Sequence, residues 1–447
     1  MTRPGGSVST GAAPLPDRLA AERAYLFRHA VLRDAAYQLQ IPGARAALHA
    51  LAFTLIESLL GGRPPAETRG RRGAEPPWQP HPTDLFAEEL AGHAALAGSG
   101  PDAAAAERLY LSRAARWEGL NFRFASSAGL WTRHAGRVSG IVRAESFRRA
   151  GTMAFLSDQD ALAARLLGRS LRLSRIAGHL SGVAAALGSL ASLHRRTDRL
   201  KRAEIEFKQA LRIQRKIGDR HGEAALLSNL AVLYRSTQRP RLAERGYRQA
   251  LTAFRKSGDI RNQGIVLGNL ATLQTFTGRA TEAGKGLKLA LSLNIRAGDR
   301  WGEGVTRGNL GQHLQIAGRN REAEREYRRA LAIHVEVGNR RDEGNVLGGL
   351  AILYRDTGRA AESEPAFLKA IALDREVRNR QREGSHLCDY ALLLVALGRE
   401  TEARRVWRSG LETLREVVEL RSLGERVAFM RDTCRKAGVR ALDSADL

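Results

Sequence analysis

The sequence predicts an all-α solenoid of paired antiparallel helices, and three observations indicate it. A forty-residue repeat runs without insertion or deletion from Ile141 to about Leu420, which gives seven blocks. Within each block, small and bulky apolar residues recur three and four positions apart, so they share one face of a helix. Each block also contains two short turns, most of them with glycine, and so has room for two helices. Repeat solenoids present extended surfaces, and this architecture therefore favours binding over catalysis.

Three block positions carry the predicted core. Position 23 is small, position 27 is bulky and position 30 is small again, so close helix approach alternates with a gap-filling side chain. Position 23 holds Ala163, Ala203, Ala243, Ala283, Ala323, Ser363 and Ala403. Position 27 holds Leu167, Phe207, Tyr247, Leu287, Tyr327, Phe367 and Trp407. Position 30 holds Ala210, Ala250, Ala290, Ala330 and Ala370.

The turns between the helices keep the same chemistry from block to block. The turn after the first helix of a block (helix A) has glycine followed by arginine, as in Gly358-Arg359. The turn after the second helix (helix B) has glycine followed by Asp or Asn, as in Gly298-Asp299. Glycine suits the left-handed residue that closes a helix, and Asp or Asn can cap the next helix A.

At this point the sequence resembles a known family, the tetratricopeptide repeat (TPR). The residues that carry the resemblance are Leu230, Ala231, Tyr234, Ala243, Tyr247 and Ala250. Their forty-residue spacing is similar to the longer TPR variety of cell-polarity adaptors and bacterial signalling proteins. The resemblance implies a right-handed superhelix whose concave wall is lined mainly by helix A. It also implies that the residue just before the Leu-Ala pair often faces a ligand.

That ligand-facing position holds asparagine in three successive blocks, Asn229, Asn269 and Asn309. Because an amide offers both donor and acceptor, such a ladder is able to hold the backbone of an extended peptide. The alternative is that each asparagine bonds to the neighbouring repeat and sets the stacking angle. About two helical turns further lie Arg195, Arg235 and Arg355, which would favour an acidic ligand if they face inward. Tyr234 and Tyr354 occupy the packing position of the family and are expected in the core.

The part before the repeats is predicted to contain four segments. We expect a disordered tail at 1–17, amphipathic helices at 18–60, a linker with six prolines at 61–83, and irregular TPR-like helices at 84–140. The stretch from Phe27 to Tyr37 resembles the winged-helix-like end of the ATPase module in bacterial STAND-type signalling proteins. By position, His29 would be the nucleotide-sensing histidine that the resemblance implies. The alternative is that His29, like His49, packs within a helix pair.

The sequence contains no G-x-x-x-x-G-K-[S/T] phosphate loop, so it is similar to the sensor half of such a protein without the ATPase. We expect an ATPase, kinase or cyclase to be supplied by another chain. Zinc-protease, nucleophile-elbow, C-x-x-C and dinucleotide-binding motifs are also absent from the sequence. The prediction is a non-enzymatic protein with no catalytic residue, metal site or cofactor, which binds a peptide or a helix of a protein partner in its groove.

Composition leaves one alternative open. The net charge of +25 favours a polyanion partner, and a nucleic-acid-binding regulator is therefore the second hypothesis. However, only eight of the 72 basic residues are lysines, an arginine excess that a GC-rich genome produces without selection for binding. The densest basic run, Arg69 to Arg72, lies in the predicted linker. No stretch of eighteen apolar residues is present, and a cytoplasmic protein with reduced cysteines is expected.

The carboxyl-terminal segment 421–447 is predicted to be a capping helix and tail. Leu423, Val427 and Met430 are spaced four and three apart, with Phe429 beside them, within a helix predicted at 421–437. A solenoid needs such a helix to cover its last apolar surface. A homodimer through that face is the alternative.

Overall fold

The computed structural model describes residues 41–65, 78–98, 100–197, 199–415 and 420–443, and within them it is helical with no β-strand. The α-helices are α1 Pro42–Leu59, α2 Ala87–Leu96, α3 Pro101–Leu120, α4 Phe124–Arg137, α5 Gly140–Leu156, α6 Asp160–Ile176, α7 Leu180–Arg196, α8 Leu200–Ile217, α9 Arg220–Ser236, α10 Pro240–Ser257, α11 Ile260–Phe276, α12 Ala280–Arg296, α13 Arg300–Ile316, α14 Asn320–Glu336, α15 Arg340–Asp356, α16 Ala360–Glu376, α17 Arg380–Ala396, α18 Glu400–Arg415 and α19 Leu420–Lys436. A short 3-10 helix, Pro82–Phe86, precedes α2. The predicted all-α fold is confirmed.

Helices α5 to α18 form seven antiparallel pairs that repeat every forty residues, from α5/α6 to α17/α18. Each pair contributes its first helix as helix A and its second as helix B. The turn glycines have positive φ, +75° at Gly358 and +65° at Gly338, a conformation that is costly for residues with a Cβ atom. Asp299 caps α13 by accepting a hydrogen bond from the Gly302 backbone N–H at 3.0 Å. The glycine and cap signals of the sequence therefore place these helix ends correctly.

The core is the set of block positions that the sequence predicts. Every residue at position 23 and every alanine at position 30 is fully buried. The bulky residues at position 27 are at most 4% exposed, and Trp407 and Tyr247 are among the largest buried side chains. The pattern of small and large residues therefore packs helix B of each pair against its neighbours, as expected.

An ion-pair ladder connects the turns of successive pairs. The arginine that ends the turn between helix A and helix B binds a glutamate of the preceding helix B, as Arg359 binds Glu324 at 2.7 Å. The same contact recurs in three further pairs of residues: Arg239–Glu204, Arg279–Glu244 and Arg399–Glu364. In two of these steps the guanidinium also lies over a tyrosine ring, Arg239 over Tyr234 and Arg359 over Tyr354. Part of the large arginine content is thus neutralised within the chain.

One contact joins distant parts of the solenoid. Asp158, in the turn between α5 and α6, accepts hydrogen bonds from Arg196 of α7 at 2.8 Å and from Arg341 of α15. Asp158 belongs to the first helix pair and Arg341 to the sixth, 183 residues later. The stack of pairs therefore completes a superhelical turn within about five steps, and the edge of its sixth pair meets the edge of its first. We call this contact the closing ion pair.

Helices α2 to α4 continue the stack on the amino-terminal side of α5. Packing begins before the predicted boundary at residue 84, because Thr83 and Asp84 are buried. Asp84 forms a buried, two-point ion pair with Arg113 of α3, at 2.6 Å and 2.9 Å, and the Arg113 guanidinium lies 4.6 Å from the centre of the Trp78 ring. The carboxyl-terminal part of the predicted linker is thus a packed element.

The last helix, α19, packs on α17 and α18. Met430 and Cys434 are fully buried and Leu423 is 8% exposed, whereas Phe429 is 56% exposed. Leu423 and Met430 are thus covered within the chain, as a capping helix requires, while Phe429 stays exposed; the homodimer stays a hypothesis. None of the helices within the described ranges is both long and apolar enough to cross a membrane.

Candidate functional site

The residues just before the Leu-Ala pair, at block position 9, lie along the inner wall formed by the A helices. Ser189 and Asn229 line a cavity of about 400 Å³ that also contacts α5 residues. Asn309, Gly349 and Asp389 line a second cavity, of about 220 Å³, between α13, α15 and α17. Asn269 belongs to the repeat between these two cavities and lines neither of them. We call this wall the groove.

The side-chain amides of the three asparagines are not used in hydrogen bonds within the described chain. Asn229 is exposed, and Asn269 and Asn309 are half-buried. In the part of the chain that the structure describes, none of the three makes a side-chain hydrogen bond, whereas Asn294 bonds both Thr306 and the Gly302 carbonyl across a helix-pair joint. The stacking role considered for the asparagines would require such bonds. Asn294, which the sequence did not single out, has that role instead.

The three predicted arginines differ in their partners. Arg355 is occupied by acidic residues, because its Nε lies 3.0 Å from Asp356 and its guanidinium lies 3.4 Å from the Asp389 carbonyl and 4.0 Å from the Asp389 carboxylate. Arg195 and Arg235 have no acidic partner among the described residues, and the Arg235 side chain lies against the Tyr247 hydroxyl. Burial and then the positive charge of Arg235 lower the pKa of Arg195 below its ordinary value. Arg355 is therefore not free for a ligand, in contrast to the expectation for all three.

Two stretches of the sequence, 182–256 and 345–377, match family models described as tetratricopeptide repeat. The solenoid contains TPR repeats in these two stretches. No curated protein matches the sequence.

Two solved structures have a similar fold, and a third is similar with a TM-score below 0.5. The Rap conjugation gene regulator of the plasmid pLS20, in complex with the Phr* peptide, is 12% identical, with 76% of this chain and 96% of that chain covered and a TM-score of 0.55. A Rap protein complexed with Competence and Sporulation Factor is 14% identical, with coverage of 75% and 99% and a TM-score of 0.53. A STAND protein with a TPR sensor, PH0952 from Pyrococcus horikoshii, is 14% identical, with coverage of 79% and 55% and a TM-score of 0.49. At these identities the likeness concerns the fold alone.

The comparisons do not confirm the predicted winged-helix remnant. The stretch from Phe27 to Tyr37, which includes His29, lies outside the described residues, as does the basic run at 69–72. His49 on α1 is described, and its Nδ1 lies 2.8 Å from Nδ1 of His93 on α2. Burial, and then the charge of His49, lowers the pKa of His93. This contact is the helix-pair packing that was the alternative for His49.

The TPR packing tyrosines have a second contact that the sequence did not predict. Tyr354 is buried, as expected, and Tyr234 is half-buried. The hydroxyl of Tyr354 donates a hydrogen bond to Glu324 at 3.2 Å, the glutamate that also binds Arg359. Tyr354 therefore supports the ion-pair ladder at the turn and does not contribute to the groove.

The joints between TPR units contain buried polar pairs that sequence analysis missed. His386 of α17 and Asp374 of α16 are buried, with Nδ1 of the histidine 2.7 Å from Oδ2 of the aspartate. Asp374 occupies block position 34, where Asn294 and His334 also lie, and this recurrence of polar residues on an otherwise apolar face was the available signal. Among the described residues, no hydroxyl or thiol group contacts the His386 ring. The pair is therefore a structural joint between the sixth and seventh units.

No group of three or more metal-ligating side chains with the geometry of a metal site occurs in the described ranges. The two cavities of the groove are lined by amides, guanidinium groups, carboxylates such as Asp219, Asp342 and Asp389, and small apolar surfaces. They present hydrogen-bond donors and acceptors and charges of both signs.

A pH dependence follows from the buried histidines. Burial, followed by the charges of Arg149 and Arg108, lowers the pKa of His134 to about 4 from an ordinary value of 6.5. The unfolded chain therefore binds a proton at a higher pH than the folded one, and stability is lost as the pH falls from about 6.5 towards 4. We expect this histidine to reduce the free energy of unfolding by an amount on the order of 2–3 kcal/mol across that range. Urea unfolding at several pH values should show this loss, and His134→Gln should reduce the pH dependence; an unchanged slope in the variant would contradict it.

Proposed function

We propose that this protein is a non-enzymatic interaction scaffold that captures an extended peptide in the TPR groove. The observation that carries the proposal is the row of three asparagines, Asn229, Asn269 and Asn309, on the inner wall without intramolecular side-chain hydrogen bonds. The two Rap structures with a similar fold are both complexes, one with the Phr* peptide and one with Competence and Sporulation Factor. That similarity supports a peptide ligand for this chain as well.

The amides suit a peptide backbone better than a particular side chain. Each asparagine is able to donate to a backbone carbonyl and accept from a backbone N–H, which every extended residue except proline presents. Because the asparagines occupy one block position in successive units, they form a row along the groove. Sequence preference must then come from the pockets and charges beside this row.

The proposed setting is regulatory. We propose that the TPR array is the sensor arm of a bacterial signalling system and that binding is passed to an ATPase, kinase or cyclase on another chain. The description of one similar structure as a conjugation gene regulator supports a regulatory role. Both cysteines are free and buried, which supports a reducing, cytoplasmic location.

Replacing Asn229, Asn269 and Asn309 together by alanine should weaken peptide binding by about 100-fold. A hydrogen-bonding side chain contributes about 1 kcal/mol, and three of them about 3 kcal/mol, where 1.4 kcal/mol is a factor of ten. The measurement is fluorescence anisotropy with peptides selected on the wild-type protein from a displayed random library.

A matched control removes three amides from the B helices. Gln209, Gln249 and Asn320 are exposed, and none of them makes a side-chain hydrogen bond in the described chain. Their combined replacement by alanine should leave the dissociation constant unchanged. If the groove variant keeps wild-type affinity and wild-type circular dichroism, the proposal is wrong.

A further inference from the structure

We propose that the groove selects peptides with two acidic side chains three residues apart, and that Arg195 and Arg235 bind them. This inference rests on the proposed peptide capture, and it adds the ligand's charge and its spacing.

The sixth and seventh units show what a position-15 arginine reaches. Arg355, at position 15, extends to Asp389, at position 9 of the following unit, where it approaches both the carbonyl and the carboxylate. Arg426 of α19 also binds Asp389, at 3.3 Å. The chain itself therefore supplies a carboxylate to the arginine at this joint.

Two earlier joints repeat the arginine but lack the carboxylate. Arg195 and Arg235 also occupy position 15, and the position-9 residues of the units that follow them are Asn229 and Asn269. Both arginines are half-buried without an acidic partner in the described residues. The block register therefore places Arg195 and Arg235 each beside the neutral amide of an asparagine, at the position where Arg355 meets the carboxylate of Asp389.

The side chains around these arginines supply no negative charge. The Nε of Arg235 is buried without a hydrogen-bond partner, and the Arg235 guanidinium lies beside the buried hydroxyl of Tyr247 and close to the positive charge of Arg195. In the fifth unit the equivalent Tyr327 donates its hydroxyl proton at 3.0 Å to Gln315, a neutral residue at the block position of the arginines. Unpaired buried polar groups are costly, and two like charges in proximity add to that cost. A carboxylate from a ligand would relieve both.

The spacing of the two acids follows from the repeat. Packed helices lie about 8–10 Å apart, so equivalent arginines on successive A helices present their charges at roughly that interval. An extended polyproline-II chain rises about 3.1 Å per residue with three residues per turn, so side chains three apart lie on the same side at about 9 Å. Two acids at this spacing can each contact one arginine while the backbone lies along the asparagines.

The test uses short fluorescein-labelled peptides that carry two glutamates three residues apart, two adjacent glutamates, or two glutamines three residues apart. The measurement is made at physiological ionic strength, because a Debye length of about 8 Å limits the influence of remote charges. Anisotropy should show that the peptide with two glutamates three residues apart binds at least tenfold more tightly than the other two peptides. The double variant Arg195→Gln/Arg235→Gln should abolish this preference. It should fold as the wild type does, because the exchange removes a repulsion and no ion pair.

The matched control is Arg172→Gln/Arg212→Gln, which removes two exposed arginines that share block position 32. It should keep the preference for the spaced glutamates. Equal binding of the glutamate and glutamine peptides, equal binding of adjacent and spaced glutamates, or a preference retained in the Arg195/Arg235 variant would each overturn the inference.

The asparagine variant separates this inference from the proposed function. If it loses all peptide binding while the wild type ignores the glutamates, peptide capture stands and the acid site is wrong. If it keeps the glutamate preference at wild-type affinity, peptide capture by the amides is wrong and the acid site stands. If no peptide binds but single-stranded DNA binds and depends on Arg195 and Arg235, both proposals are overturned in favour of a polyanion site.

Discussion

Replacing Gly348 by alanine should destabilise the joint between the sixth and seventh TPR units by about 3–5 kcal/mol. A Cβ atom at this position would lie 2.0 Å from Nε2 of His386, so the imidazole would have to leave its place. Asp374, which is fully buried, would then lose the histidine that binds it. Breaking a buried, hydrogen-bonded pair by displacing one partner costs roughly that amount because the remaining charge stays desolvated.

The chain contains its own control for this substitution. Gly268 occupies the same block position on α11, and the nearest atom to a Cβ there is Thr306 Oγ1 at 3.8 Å, an ordinary contact. Alanine at 268 should therefore stabilise the helix by about 0.5–1 kcal/mol. Urea unfolding, with hydrogen exchange of α17 to localise the effect, measures both changes. Equal shifts in the same direction for the two variants would show that the His386–Asp374 joint is not the cause.

The second large effect is expected at the amino-terminal end of the stack. Arg113→Ala should destabilise the packing of α2 and α3 by about 3–5 kcal/mol, because it leaves the buried Asp84 carboxylate without its two-point partner. The variant also removes a guanidinium from the face of Trp78 and a hydrogen bond to the Gln79 carbonyl. Thermal unfolding followed by circular dichroism, together with the fluorescence of Trp78 and its neighbours, gives the size of the loss.

An exposed ion pair in the same region is the control. Arg133 binds Glu88 at 2.7 Å, but both side chains are about half exposed. Arg133→Ala should cost less than about 1 kcal/mol, since water screens exposed pairs. If the Arg113 and Arg133 variants were equally stable, burial of the Asp84 pair would not contribute as argued.

The repeat and its core were predictable because their signals are local. Ala243 and Tyr247 lie on one turn of one helix, and their size alternation predicts close packing without knowledge of the superhelix. The turn glycines and the caps such as Asp299 are equally local. These residues determine helix ends through their own backbone conformation and hydrogen bonds.

The joints were not predictable in the same way. The contact of Arg355 with Asp389 depends on the rotation from one unit to the next, which no single block encodes. The steric clash expected for alanine at position 348 depends on which side chain the following unit places opposite Gly348, and this side chain is His386. The groove residues were placed by register, but whether an arginine there is free or paired became evident only from the structure.

The closing ion pair changes how an occupant would enter and leave the groove. With Asp158 bound to Arg341, the rim of the first unit is held against the rim of the sixth. If the proposed peptide passes this contact on entry and release, and the contact is equally strong in the free and the bound protein, breaking it would speed binding and release by the same factor and leave the affinity unchanged. The groove residues would then determine how tightly the peptide is held, and one carboxylate at the rim would determine how fast it exchanges.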